Sequence, residues 1–377
     1  MKKISILILF ALILVTLIKC CFEKRAVSEK SEKNPSYSNK TNFRYDYKVK
    51  SAAYWTSPIM QKSDLNNLAK HDIVIADLEN LFNNRESLLE LKKLNPNLKL
   101  FCYSNPMEIF LTKYQDRLWQ NKVIDEIVTN RQDWLLRTIN NGKESFAKFW
   151  PGMTMLNLSS TCPNVWFQNY SSWMANKLCS EILSDTIWDG YFQDNCTANI
   201  SWVHANKIDK IDIDGNGKAE NNLFIDKKWK EGIDKYLSII NKTGLPIIAN
   251  KGDLNFINYT SGKFFEKFPN DYLGNKLAGG WHQCMSNAKR TGKFTIFQVS
   301  KNDLMFGLAS SLLLDNVYIA IDQDDTSYFN ELNIDLGRPL GKMKSINSSF
   351  IRKYEKGIVI VKPLSRHGEI RLVKVRT

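Results

Sequence analysis

The chain has 377 residues, 43% hydrophobic and 12% aromatic, with a formal net charge of +13. That length and apolar content support one large α/β domain with an appendage, or two ordinary domains. The positive charge does not make a nucleic-acid binder, because the lysines are spread through Asn- and Ile-rich sequence with no dense basic block and no recognition motif. Four histidines, with no CxxC pair and no HExxH, argue against a zinc site.

The N-terminus is an export signal. Lys2 and Lys3 precede an apolar run from Ile4 to Ile18, short for a membrane span and right for a signal core. Cys20 and Cys21 follow, a pattern that resembles a bacterial lipoprotein signal, although Lys19 stands where a small residue is expected. An ordinary cleaved signal and an uncleaved anchor are the alternatives. Each predicts an exported protein, at the cell surface or in the periplasm, secreted or tethered to the membrane. Residues 22–46 are polar and aperiodic, as a flexible tether would be. Beyond the signal remain Cys102, Cys162, Cys179, Cys196 and Cys284, an odd number that leaves room for one bridge but not for a dense framework.

From Tyr45 onward, strands alternate with helices. Ser51–Trp55 is the first expected strand and Asp72–Asp77 the second, followed by an amphipathic helix over 85–94 with Leu88, Leu89, Leu91 and Leu94 on one side. A third strand covers 98–103, and a long helical region 115–140. An apolar segment at 153–158 and a helix over 164–183 lead to the fourth barrel strand, 188–193. A helix at 228–241 precedes strand five at 246–249. Strands six, seven and eight are expected at 263–265, 294–299 and 316–321. Eight strands in this alternation predict an α/β fold, a (β/α)8 TIM barrel over 47–335. A doubly wound sheet is the alternative, but no glycine-rich phosphate loop follows any strand. Two apolar runs near 357–361 and 369–373, within residues 336–377, predict a small C-terminal antiparallel β cap.

Barrel enzymes carry reactive groups at the C-terminal ends of their strands. Those ends here bear Asp77 and Glu79, Asn105, Asp194 and Asn195, Asn250, Glu266, and Asp322. This ring of carboxylates and amides has no Ser/His pairing beside it. It fits glycoside hydrolysis, in which one carboxyl protonates the leaving oxygen and another attacks or activates water. An Asp after a strand also serves as an ordinary helix cap or loop residue. Asp194 and Glu266 stand out because each follows aromatic residues, and an apolar wall raises a carboxyl pKa. Asp189, at the start of its strand, is expected to make a turn. Asp212, Asp214 and Asn216, followed by Gly217, match the front of a calcium loop, with Glu220 as a further ligand. Leu223 takes the place of the closing Glu, so the loop is incomplete; Asp226 is a substitute oxygen donor, and a metal-free polar loop is the alternative.

The chain is similar to a family of glycoside-hydrolase-like (β/α)8 barrels, exported and without a firm substrate. The matching segments are Phe149-Trp-Pro-Gly152, Leu156-Asn-Leu-Ser159 with Cys162-Pro163, Trp188 through Asn195, Ile200-Ser-Trp202, the Asp212–Gly217 loop, Ile248-Ala-Asn250 and Phe264-Phe-Glu266. Gln193 departs from the aliphatic residue expected there. That family resembles barrels such as α-galactosidases, in which an Asp after strand four is the nucleophile and an acid after strand six the proton donor. The resemblance therefore implies Asp194 as nucleophile or base and Glu266 as general acid.

The resulting expectation is an exported, membrane-tethered glycosidase acting on an extracellular or cell-surface carbohydrate. Asp77, Glu79, Asn195 and Asn250 would bind sugar hydroxyls, and Trp55 and Trp202 would be stacking platforms. The chemistry would need no cofactor, and a calcium ion would have a structural role. The rival is a non-catalytic carbohydrate-binding surface lipoprotein on the same barrel.

Overall fold

The computed structural model describes residues 48–204, 210–270 and 280–373. The expected signal and tether, residues 1–46, lie outside the described residues. Eight strands form the centre: β1 (Ser51–Trp55), β2 (Ile73–Asp77), β3 (Lys99–Ser104), β4 (Gly190–Gln193), β5 (Ile247–Asn250), β6 (Gly262–Phe265), β7 (Thr295–Val299) and β8 (Val317–Ile321). Each pairs in parallel with its neighbour in sequence, and β8 closes on β1 through Ser51–Ile319 and Ala52–Ala320. The α/β barrel expected from the strand-helix alternation is therefore present.

The strands are near-continuous apolar runs because both faces are buried. Alternate residues point into the barrel: Tyr54, Ile75, Phe101, Phe192, Ile248, Phe264, Ile296 and Ala320 pack there as one cluster. Their neighbours Trp55, Ala76, Cys102, Tyr191 and Ala249 face outward, against the helices. Gly190 permits the tight centre, since a β-carbon there would lie 2.2 Å from the Phe101 ring.

Seven helices of seven residues or more surround the described barrel: α1 (Lys62–Leu68), α2 (Arg85–Leu94), α3 (Leu118–Asn130), α4 (Tyr170–Glu181), α5 (Asn222–Ile240), α6 (Trp281–Ala288) and α7 (Leu304–Leu312). Helix α2 has the expected bounds, but only Leu88 and Leu91 of its four leucines are buried. The helix expected over 115–140 ends at Asn130. After one 3-10 turn, Arg137–Asn140 and Lys143–Phe146 form a hairpin instead. Its turn is Asn141-Gly142, both at positive φ (48° and 75°), the pair that a two-residue hairpin with twisted strands demands. A third strand, Lys210–Asp212, pairs with this hairpin.

The C-terminal cap has four antiparallel strands rather than the two expected: Lys344–Ile346, Ser349–Tyr354, Gly357–Lys362 and His367–Leu372. Tyr354, Val359 and Val361 share a core with Val299, Phe306 and Ile319, so the cap packs on β7, α7 and β8. No disulfide joins the five cysteines of the described region. No helix among the described residues is long and apolar enough to cross a membrane.

Candidate functional site

A cavity of about 300 Å³ opens at the C-terminal ends of the strands, among Tyr54, Asp77, Glu79, Tyr103, Glu108, Arg117, Phe149, Trp150, Asp194, Asn195 and Glu266. Strand periodicity creates it. The inward positions of β2, β3, β4, β5 and β6, continued two residues past the apolar layer, are Asp77, Tyr103, Asp194, Asn250 and Glu266. The barrel thus carries aromatic and aliphatic packing in its centre and polar groups at its mouth.

Asp194 and Glu266 come together through Asn250. One atom, Asn250 Nδ2, donates to Asp194 Oδ1 at 2.7 Å and to Glu266 Oε2 at 2.9 Å. Those two oxygens can be no further apart than the two bonds laid end to end, about 5.6 Å. Asp194 also accepts from the Tyr103 hydroxyl at 2.7 Å and from the Asn195 backbone N–H at 2.8 Å. Asn195 itself adopts a left-handed conformation (φ 50°). Burial pushes the Asp194 carboxyl above its usual range, while the donors from Tyr103, Asn250 and Asn195 pull it back down. The buried hydroxyls of Tyr54 and Tyr103 are pushed well up, first by burial and then by the Asp194 charge, so both remain protonated donors.

The remaining residues expected to bind sugar divide. Asp77 pairs with Arg117 at 2.8 Å and accepts the Glu79 N–H. Burial nevertheless raises its carboxyl above the ordinary value. Glu79 uses both oxygens on the N-terminus of α3, accepting from Trp119 N at 2.9 Å and Gln120 N at 2.7 Å. It is a helix cap built into the pocket wall rather than an open sugar-binding group. Asn195 lines the cavity, and Asn250 lies beneath it, bridging the two acids.

The two expected stacking platforms are displaced. Trp55 is an outward residue of β1 and belongs to the core between barrel and helices; its neighbour Tyr54 lines the cavity instead. The side-chain period of two along β1 decides this. Trp202 packs edge-on against Phe149 with ring centres 4.8 Å apart, behind the wall rather than on it. The exposed aromatic residue at the cavity is Trp150, 51% accessible. Sequence reasoning also passed over Tyr103, Arg117 and Glu108. The signal for Tyr103 was its inward parity with Phe101. Arg117 lies in a loop and Glu108 in a short strand outside the barrel, and no local pattern announces that either segment returns to the barrel mouth.

Asp212, Asp214 and Glu220 do converge, with one carboxylate oxygen from each within 4.8 Å of the others. Asp212 also accepts from the backbone of Gly215, Asn216 and Gly217, the tight-turn pattern of a cation loop. Desolvation, followed by repulsion from Asp214 and Asp212, raises the Glu220 carboxyl, while the Ile213 N–H it accepts pulls it back down. Asn216 turns its amide nitrogen onto Asp214 at 3.0 Å. Asp226, the suggested substitute ligand, is taken up by Ile200 N, Ser201 N and Ser201 Oγ at 2.8–2.9 Å, so it caps another segment.

A (β/α)8 barrel with two linked carboxyl groups at its mouth is the scaffold of many carbohydrate-active enzymes. Residues 92–358 match the model described as hypothetical glycosyl hydrolase family 15, and the chain belongs to that family. Solved structures similar to it include a maltogenic α-amylase from Thermotoga neapolitana, at 10% identity and TM-score 0.43, covering 84% of this chain and 86% of that one. A dextranase from Flavobacterium johnsoniae matches at 11% identity and TM-score 0.44, covering 82% of this chain and 45% of its own. An α-N-acetylgalactosaminidase from Bifidobacterium bifidum matches at 9% and TM-score 0.46, covering 86% and 58%. The chain thus spans about half the length of the last two. No curated protein sequence matches significantly.

Proposed function

We propose that the protein is a retaining glycosidase in which Asp194 is the nucleophile and Glu266 the general acid and base. The observation that carries this reading is the shared donor, Asn250 Nδ2, between the two carboxyl groups. A retaining pair stands about 5–5.5 Å apart, whereas an inverting pair leaves about 6.5–9.5 Å for a water. The bound of about 5.6 Å on the two oxygens bonded to Asn250 supports the first arrangement. Asp194 attacks the anomeric carbon while Glu266 protonates the glycosidic oxygen, and the bond to the leaving sugar breaks. A water then enters, Glu266 removes its proton, and the attacking oxygen displaces Asp194 with a second inversion. Tyr103 and Asn195 hold the attacking carboxylate in place, and no cofactor takes part in these steps.

The substrate we propose is an extracellular or cell-surface oligo- or polysaccharide. The export signal at residues 1–21 supports that location, and Cys20 or Cys21 would carry a lipid tether. We also propose that Asp212, Asp214 and Glu220 hold a structural Ca²⁺ that braces the hairpin paired to Lys210–Asp212. The glycosidase reading is tested by incubating the protein with a panel of neutral oligosaccharides and following the first-formed anomer by ¹H NMR. Release of sugar with retained configuration supports it. Inversion rejects the assignment of Asp194 as nucleophile, and no release from any glycan rejects the enzymatic reading.

A further inference from the structure

Trp150 occupies an unusual position for a tryptophan. It lines the cavity, is half exposed, and belongs to a segment, Phe149-Trp150-Pro151-Gly152, with no regular secondary structure. The backbone there is a tight turn. Met153 N donates to Trp150 O at 3.0 Å, and Gly152 has φ 81°. Pro at the second position and a left-handed Gly at the third are the chemistry of a type II turn. The turn is held on its C-terminal side, because Glu108–Phe110 pairs antiparallel with Met153–Met155 immediately after it.

Glu108 completes the lock. Its side chain is buried, 2% of the residue being accessible, and its Oε1 accepts the Trp150 backbone N–H at 2.7 Å. A buried carboxyl costs free energy unless its oxygens are bonded, and here that bond fixes the backbone that carries the indole. Behind the turn, Trp202 meets the Phe149 ring edge-on, which stiffens the wall from the far side. An aromatic face held at a cavity mouth by a turn, a strand pair and a buried acid is preorganised for a flat, partly apolar ligand.

We propose that Trp150 is a stacking subsite for a pyranose ring, the C–H face of the sugar lying on the indole, and that Glu108 is its positioning residue. The proposal rests on the carbohydrate reading above but not on its catalytic step. Glu108 acts through the backbone, so an uncharged acceptor can replace it: Glu108→Gln keeps the oxygen that Trp150 N needs, and Glu108→Ala removes it.

The test uses the full chain carrying Asp194→Asn, labelled and applied to an array of pyranose oligosaccharides. Trp150→Ala should weaken binding about tenfold or more, Trp150→Phe should restore much of it, and Glu108→Ala should weaken it where Glu108→Gln does not. Thermal unfolding of each variant separates loss of the subsite from loss of the fold. In active protein, Trp150→Ala should raise KM more than it lowers kcat. Unchanged glycan binding in Trp150→Ala overturns the subsite while leaving the glycosidase reading intact. Binding that requires Trp150, in a protein that hydrolyses none of the bound glycans, keeps the subsite and rejects the glycosidase. Absence of binding by the Asp194→Asn parent to every glycan overturns the subsite.

Discussion

The hydroxyl of Tyr103, an inward residue of β3, donates to Oδ2 of Asp194 at the end of the adjacent β4, across 2.7 Å. The bond favours the ionised carboxylate that an attacking Asp must be, and it opposes the burial that raises the same group. Replacing Tyr103 by Phe removes that opposition. A hydrogen bond to a charged group contributes about 1.5–3 kcal/mol, so kcat should fall roughly 10–100-fold. The acid limb of the pH–rate profile should also move to higher pH, because the Asp194 carboxyl rises further when a donor is lost. A limb that stays in place would show that Tyr103 does not govern the ionisation of Asp194.

Asp194→Asn should abolish turnover, by about a thousandfold or more. The amide keeps the geometry: its oxygen can accept from Asn250 and Asn195, and its nitrogen can donate to the Tyr103 oxygen. Folded Asp194 titrates above the unfolded group, so its stabilising share is complete in acid and is lost as pH rises through the folded value. The variant should therefore unfold at a temperature close to the parent's near pH 4 and at a higher one by pH 8. Melting curves across that range check the sign; a gain confined to acid would contradict it.

Asn250→Ala removes the amide nitrogen that touches both acids. Each carboxyl loses a donor, and their spacing is no longer fixed by a common partner. Activity should drop more than in Tyr103→Phe, and combining the two changes should cost less than the sum, since both act on Asp194. Full additivity in kcat would indicate that Asn250 acts mainly through Glu266.

Glu79 lines the cavity, yet both of its oxygens cap α3. Glu79→Ala leaves two helix-terminal N–H groups without their acceptor, at a cost of about 1–2 kcal/mol. Thermal unfolding should register this as a lowered melting temperature. A variant that loses sugar affinity with no change in melting would assign Glu79 to the ligand instead.

For the Asp212 loop, added CaCl₂ should raise the melting temperature, by about 2.7 kcal/mol of stabilisation at a hundredfold excess over Kd. Asp212→Ala should remove the calcium increment, whatever it does to the baseline. A calcium-independent melt of the parent protein rejects the metal site.

The barrel was legible because β-strands buried on both faces are written as short apolar runs, and the eight runs recur with helices between them. The same local grammar placed α2, β1 and the acids that end β4 and β6. It failed over 115–140, where apolar content suggests a continuing helix but the Asn141-Gly142 turn folds the chain into a hairpin. It failed again at Trp55, whose type fitted a sugar platform but whose outward parity did not.

The sequence by itself determined which residue types stand at the strand ends, since a strand's length and alternation are local properties of the chain. Only the tertiary structure decided their roles. Pairing of β5 between β4 and β6 brought Asp194 and Glu266, 72 positions apart by the numbering, onto one amide nitrogen. Packing of the surrounding helices and loops spent Glu79 on a helix terminus, paired Asp77 with Arg117, and placed Trp150 at the cavity while Trp55 joined the core. Hydrogen-bond partners and burial depend on which distant segments meet, and that is settled by packing of the whole chain rather than by any window of it.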